Sequence, residues 1–267
     1  MDKIPKAEMS FLEHLEELRW HIIRSAVAIA FFATLAFVFS RYIFDYVLLA
    51  PRNPSFFTNR VLCRLSEMIH VESLCINKKS FDLINISMSG QFSADMMVSI
   101  IAGFIIASPF VFYELWSFIA PALHSNERKN ARGAVFAISS LFLTGILFGY
   151  YMIVPFTVHF LGSYSVSDQI KNTINLTSYF SNIASVTLAS GLVFELPILA
   201  YFLSKIGLLT PQFLRKYRRH AIVVILIVAA IITPPDVFSQ TLVSIPLILL
   251  YEVSILISAY VLRKKSA

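Results

Sequence analysis

Charge is scarce in this chain. Of its 267 residues only 14% are Asp, Glu, Lys or Arg, against about a quarter in a typical soluble domain. With 57% hydrophobic residues, that shortage excludes an ordinary water-soluble fold. Chemical signatures are missing as well. There is no Walker loop, HExxH, CxxC or GxSxG, so nothing asks for a phosphate cradle, a zinc site, a redox pair or a serine elbow. Internal repeats and low-complexity tracts are absent. The net charge of +6 does not mark a nucleic-acid partner, because the basic residues cluster between apolar runs. We expect no enzymatic activity, no metal and no cofactor.

What the chain does have is long apolar runs, of the length that argues for transmembrane helices. Six spans are expected, at roughly 22–40, 96–119, 134–154, 180–206, 220–232 and 241–261. The fifth carries an apolar run, AIVVILIVAAII, long enough for only ~18 Å of helix. It stops at TPPD, since consecutive prolines end a helix. The sixth is expected to be interrupted at Pro246, and the second to kink or end at Pro109 or Pro121. The fold class is therefore an all-α membrane protein with two short final helices. Residues 1–267 form a single polytopic membrane domain, with a long extracytoplasmic loop at 41–95. The first apolar run follows an acidic stretch and lacks a small-residue cleavage site, so it reads as uncleaved.

Lys and Arg set the orientation. Lys3, Lys6, Arg19, Arg24, Arg128, Lys129, Arg132, Lys205, Arg215, Lys216, Arg218, Arg219 and the tail residues Arg263, Lys264 and Lys265 fall on one side. The short loops on the other side hold only Lys171. Both termini are expected in the cytoplasm. Cys63 and Cys75 then lie outside it, either as a disulfide or as two free thiols.

Acidic residues are unexpected beside a bilayer, yet FLEHLEELRW (residues 11–20) places three there. Ser10 and Glu13 fit a capping box. Glu16 and Glu17 favour the helix dipole only weakly, and Glu17 has the spacing to pair with His21. Glu127, capped by Ser125 or Asn126, opens the third helix, and Glu114 sits among aromatics at the end of the second. Glu17 and Glu127 on one surface have the chemistry to clamp two guanidinium groups, for which lysine is a poor substitute. Glu195 lies inside the fourth span, where an ionisable residue is a functional candidate, although a hydroxyl on a neighbouring helix would also explain it. Asp236, Gln240 and Glu252 place polar groups on the last two helices. These groups either bind another transmembrane helix or satisfy one another.

Together these stretches resemble the TatC family, the multispanning receptors of the twin-arginine protein translocase. The resemblance rests on HLEELR (14–19), SPFVFYELWSFIAPAL (108–123), NERK (126–129), FELP (194–197) and TPPDVFSQTLVSIPLILLYE (233–252), in order over nearly the whole chain. It implies a cupped, glove-like fold in the plasma (inner) membrane. It implies binding of twin-arginine signal peptides at the cytoplasmic face by Glu17 and Glu127, with Leu18, Arg19 and Phe118 shaping that surface. Glu195 would face a membrane-embedded groove. Thr233 and Gln240 would mark where TatA/TatB-type single-span partners dock. Contacts with further copies of the chain and with membrane lipid, and transport driven by the proton motive force, are implied too. The chain departs from the family pattern at His124, at Glu114, where Gln is common, and in the length of 41–95.

Two rival readings come from the residues alone. An ion-coupled secondary transporter would use Glu195, Gln240 and Glu252 as a relay, but it predicts internal repeats. An intramembrane enzyme would need a partner for His159, and no Ser–His or HxxxH pattern supplies one.

Overall fold

The computed structural model describes residues 11–71, 75–77, 81–119, 131–167, 169, 173–233 and 237–266. Ser10, Pro121, His124, Ser125, Asn126, Glu127, Arg128, Lys129 and Asp236 lie outside them. The described chain is almost wholly helical. In order come α1 (Phe11–Val38), α2 (Phe57–Ile69), α3 (Gly90–Ile119), α4 (Ala131–Phe148), α5 (Val154–Ser163), α6 (Leu176–Phe194), α7 (Leu196–Lys205), α8 (Pro211–Lys216), α9 (Arg218–Ile232) and α10 (Val237–Ser266). The single strand pairing among the described residues is a two-residue parallel ladder, Leu83 beside Ile174 and Ile84 beside Asn175.

Five stretches are long and apolar enough to cross a membrane: His14–Val38, Gly90–Ile119, Gly133–Ser163, Leu176–Lys205 and Val243–Arg263. The remaining expected span, the fifth, is α9, whose 15 residues reach only ~22 Å at ~1.5 Å per residue. Pro109 sits inside α3, which runs on to Ile119, so it does not end that helix. One proline expectation needs correction: Pro246 sits inside the 30 residues of α10. The last helix is therefore long and unbroken. In a bilayer, ending a helix frees several backbone groups at once, whereas a proline frees one, so the chain continues where a neighbour satisfies that one group. At Pro109 the neighbour is visible. The carbonyl deprived of its donor is Ile105 O, and the fully buried Ser108 hydroxyl donates to it at 2.8 Å.

The third span also outruns its expected end. After a π-helical turn, Gly149–Ile153, it proceeds past Pro155 to Ser163. Here the orphaned carbonyl is Tyr151 O, and the Thr58 hydroxyl donates to it. The fourth span, by contrast, breaks. Glu195 stands between α6 and α7, its N–H bonded back to Leu192 O and its carbonyl accepting from Ile198 and Leu199, with Pro197 in the first turn of α7.

The chain forms two compact units, residues 1–41 with 95–141, and residues 42–94 with 142–267. In the first unit α1 runs antiparallel to the 95–119 part of α3. Ser40 donates to Asp95 at 3.2 Å at one end, and His14 stacks on Phe118 at the other. Between them, a Cβ on Gly103 would stand 2.6 Å from Ala33 Cα, so the two backbones nearly touch, as small residues allow in membrane helix pairs.

In the second unit, Gly145 and Gly149 approach Phe194, Ser190 and Thr187 of α6. Ser204 of α7 donates to Ser258 of α10 at 2.7 Å. Outside the spans, Cys63 and Cys75 are bonded as a disulfide, which decides between the two alternatives for these residues.

Candidate functional site

The antiparallel register of the first unit brings the start of α1 to the end of α3. His14, Glu17, Leu18 and His21 recur at helical spacing and share one face of α1. Phe118 packs on that face, its ring 4.4 Å from His14 and nearly parallel to it, and 6.0 Å from His21 edge-on. Glu17 and Leu18 are half-buried beside this stack, while Glu16 and Arg19 are exposed. The structure therefore gathers Glu17, Leu18, Arg19 and Phe118 at one end of one unit. Glu127 follows along the chain from Phe118 and lies outside the described residues.

Beneath the stack sits a charged cluster that the sequence did not reveal. Glu114 is buried, 5% exposed. Its Oε2 is hydrogen-bonded with His21 Nδ1 at 2.6 Å, accepts from Arg24 Nε at 2.9 Å and lies 2.9 Å from Arg24 Nη2, which is itself 2.9 Å from His21 Nδ1. One carboxylate oxygen thus meets three nitrogens of α1. Buried charge is retained only when it is paired and hydrogen-bonded in this way. Glu114 is thereby committed internally. His21, spaced to pair with Glu17, engages Glu114 through its Nδ1. The signal was present in the sequence as His14, His21 and Arg24 on one side of α1, opposite a lone acid among aromatics. What was missing was the register that joins them.

The second unit holds the other candidates. Glu195 occupies the break between α6 and α7, half-buried, with Oε1 enclosed and lacking a hydrogen-bond partner among the described residues. Such an atom carries a desolvation cost of about 1–3 kcal/mol. It marks a place where a hydrogen-bond donor would be welcome. Thr233 is buried and its hydroxyl donates to Ala229 O at 2.8 Å, closing the end of α9. Gln240 is half-buried and donates Nε2 to Leu226 O at 3.1 Å, tying α10 to α9. Glu252 pairs with Arg218 at 2.7 Å, both partly exposed. Gln240 and Glu252 are thus each engaged locally, and among the described residues no hydrogen bond links them with Glu195 as a relay. His159 accepts from the Asn77 N–H at 3.4 Å, and its carbonyl accepts from the Ser163 hydroxyl at 2.7 Å. Among the described residues no cluster of His, Cys, Asp and Glu is arranged to hold a metal.

Comparison with known proteins agrees with the motifs. The family model described as Sec-independent protein translocase protein (TatC) matches residues 13–246. The TatC protein of Blattabacterium sp. subsp. Periplaneta americana is 41% identical over 265 residues, covering 98% of this chain and 100% of its own length. The TatCy protein of Bacillus subtilis is 33% identical over 264 residues, covering 99% and 94%. A crystal structure of the twin-arginine translocase receptor TatC in DDM superposes with a TM-score of 0.71 at 32% identity, covering 91% of this chain and 98% of that one. A second crystal structure of the receptor gives 0.67 at 31% identity.

Proposed function

This chain belongs to the TatC family of Sec-independent protein translocase proteins, and from that premise we propose that it is the receptor subunit of a twin-arginine translocase. It lies in the plasma (inner) membrane as a six-span, cupped, glove-like protein with both termini in the cytoplasm. There it binds signal peptides bearing consecutive arginines. With TatA/TatB-type single-span partners and further copies of itself, it exports folded proteins using the proton motive force.

The observation that carries this reading is the His14–Phe118 stack. It supports a surface on which Glu17, with Leu18 and Arg19 around it, stands where the chain leaves α3 towards Glu127. Each carboxylate offers two oxygens to one planar guanidinium fork. Phe118 supplies an apolar floor, and the Glu114–His21–Arg24 cluster keeps α1 and α3 in register beneath it. Surface ion pairs contribute under ~1 kcal/mol each. The larger share of the affinity therefore comes from the apolar stretch of the signal, laid against a membrane groove that includes Glu195. Gln240 is the polar group met by a partner helix, and Thr233 holds the end of α9 beside it.

The test is equilibrium binding of a fluorescent twin-arginine signal peptide to the purified protein in nanodiscs. Glu17→Gln weakens binding about fivefold, the equivalent of ~1 kcal/mol, and adding Glu127→Gln multiplies the loss. A peptide with both arginines changed to lysine binds the parent poorly and loses little further on either substitution. Full affinity of the double variant for the arginine peptide would overturn the assignment.

A further inference from the structure

The segment between the first two long helices is not an inert loop. Its helix α2 presents three distinct faces. Asn59 and Ser66 are buried on one of them. There Asn59 donates to Pro51 O and Asn53 O at 2.9 and 2.8 Å and accepts from Asn77 at 3.2 Å, while Cys63, nearby, is bonded to Cys75. A second face carries Arg60, Arg64 and Glu67, all exposed. On the third, Phe57, Val61, Leu65, Met68 and Ile69 are each at least 39% exposed. At ~100° per residue these five fall within an arc of roughly 120°. An apolar stripe adjoining a basic edge is the pattern of a helix lying in a membrane interface.

Where α2 sits agrees with that pattern. It is fastened to the third span at Tyr150 and Tyr151. Phe56, just before its first turn, contacts both rings at 5.5 Å, Phe57 meets Tyr151 edge-on at 6.2 Å, and the Thr58 hydroxyl donates to Tyr151 O. Those tyrosines stand about 25 Å of helix beyond Gly133 at ~1.5 Å per residue, close to where a hydrocarbon layer of ~30 Å ends. The 31 residues of that span, Gly133–Ser163, would reach ~46 Å, so it overhangs the layer on this side. Tyr42 and Tyr46 are exposed in the same unit and stacked at 6.3 Å. Tyrosines gather at the interface because one end of the ring is apolar and the other is wet.

We propose that α2 is an interfacial helix whose Phe57–Val61–Leu65–Met68–Ile69 face rests in the lipid surface, with Arg60 and Arg64 at the depth of the phosphates. The Cys63–Cys75 bridge and the Asn59 network hold the opposite side, so the helix cannot roll to bury its apolar face against its own chain. Assignment to the extracytoplasmic leaflet rests on the topology proposed above, whereas contact with lipid does not.

The experiment places a photoreactive phenylalanine analogue at Val61, Leu65 or Met68, with Glu67 and Ser165, the latter exposed beyond the overhanging end of the third span, as controls. The full chain, disulfide intact, is held in nanodiscs of phosphatidylethanolamine and phosphatidylglycerol. After irradiation, mass spectrometry is expected to find lipid adducts at the three apolar positions at least fivefold above the controls. Crosslinks from those positions to a second copy of the chain or to an added single-span partner would overturn the proposal. So would equal yields at all five positions, or no lipid adducts anywhere. Signal-peptide binding measured on the same samples separates this outcome from failure of the receptor reading.

Discussion

Ser108 and Pro109 offer a direct test of how the site is held. Pro109 has no N–H, so Ile105 O lacks its usual helical donor. The Ser108 hydroxyl occupies that place at 2.8 Å and is fully buried. Ser108→Ala leaves the carbonyl orphaned, at a cost of about 1–3 kcal/mol, offset by up to ~0.5 kcal/mol from alanine's better helix propensity. A net loss of roughly 1–2 kcal/mol is expected. In a Pro109→Ala background the new N–H at 109 reaches Ile105 O, so Ser108→Ala becomes neutral or slightly favourable. The coupling between the two positions is then at least ~1 kcal/mol, within the range seen for residues sharing one network. Denaturant titration of the four proteins in one detergent, followed by circular dichroism, measures it. The single variant should also weaken signal-peptide binding, because residues 110–119 carry Glu114 and Phe118 onto α1. A Ser108→Ala cost that persists unchanged in the Pro109→Ala background would refute the reasoning.

Gly103→Val should destabilise the first unit by more than ~2 kcal/mol, because a Cβ there overlaps the Ala33 backbone and overpacking of a tight contact costs about 1–3 kcal/mol. Gly133→Ala, which meets nothing within 4 Å, is the control, and equal thermal shifts for the two would refute the close approach. Cys63→Ser should lower stability by roughly 3 kcal/mol, the loop-closure entropy expected for a bridge of this span at a sequence separation of 12. Dithiothreitol should reproduce the loss in the parent and leave the Cys63→Ser variant unaffected.

Much of the architecture was legible in the primary structure because a bilayer imposes a coarse, local rule. Twenty or so apolar residues must be helical, since no water is present to satisfy a bent backbone. Five of the six expected spans match membrane-length helices, and the remaining one, the fifth, was correctly read as short. The effect of the prolines was not fully legible, for a non-local reason. Whether a proline ends a helix depends on what satisfies the orphaned carbonyl. At Pro155 that donor is Thr58, remote in sequence; at Pro109 it is the adjacent Ser108, whose rotamer no sequence pattern displays. The break at Glu195, where the pattern ran on, shows the same limitation in reverse.

Glu17, Leu18, Arg19 and Phe118 were named from motifs, and Glu195 from its depth in an apolar run. By itself, then, the sequence determined the membrane environment, the helical class, the family and the acidic residues beside the bilayer, because each of these depends on composition or on neighbours along the chain. Only the tertiary structure decided that Glu114 is spent on His21 and Arg24, that Phe118 covers the Glu17 face of α1, and that Cys63 and Cys75 are bonded. Each of those facts depends on which residues distant in sequence become neighbours, and that is set by the register of packed helices, where one contact such as Gly103 on Ala33 aligns all the others.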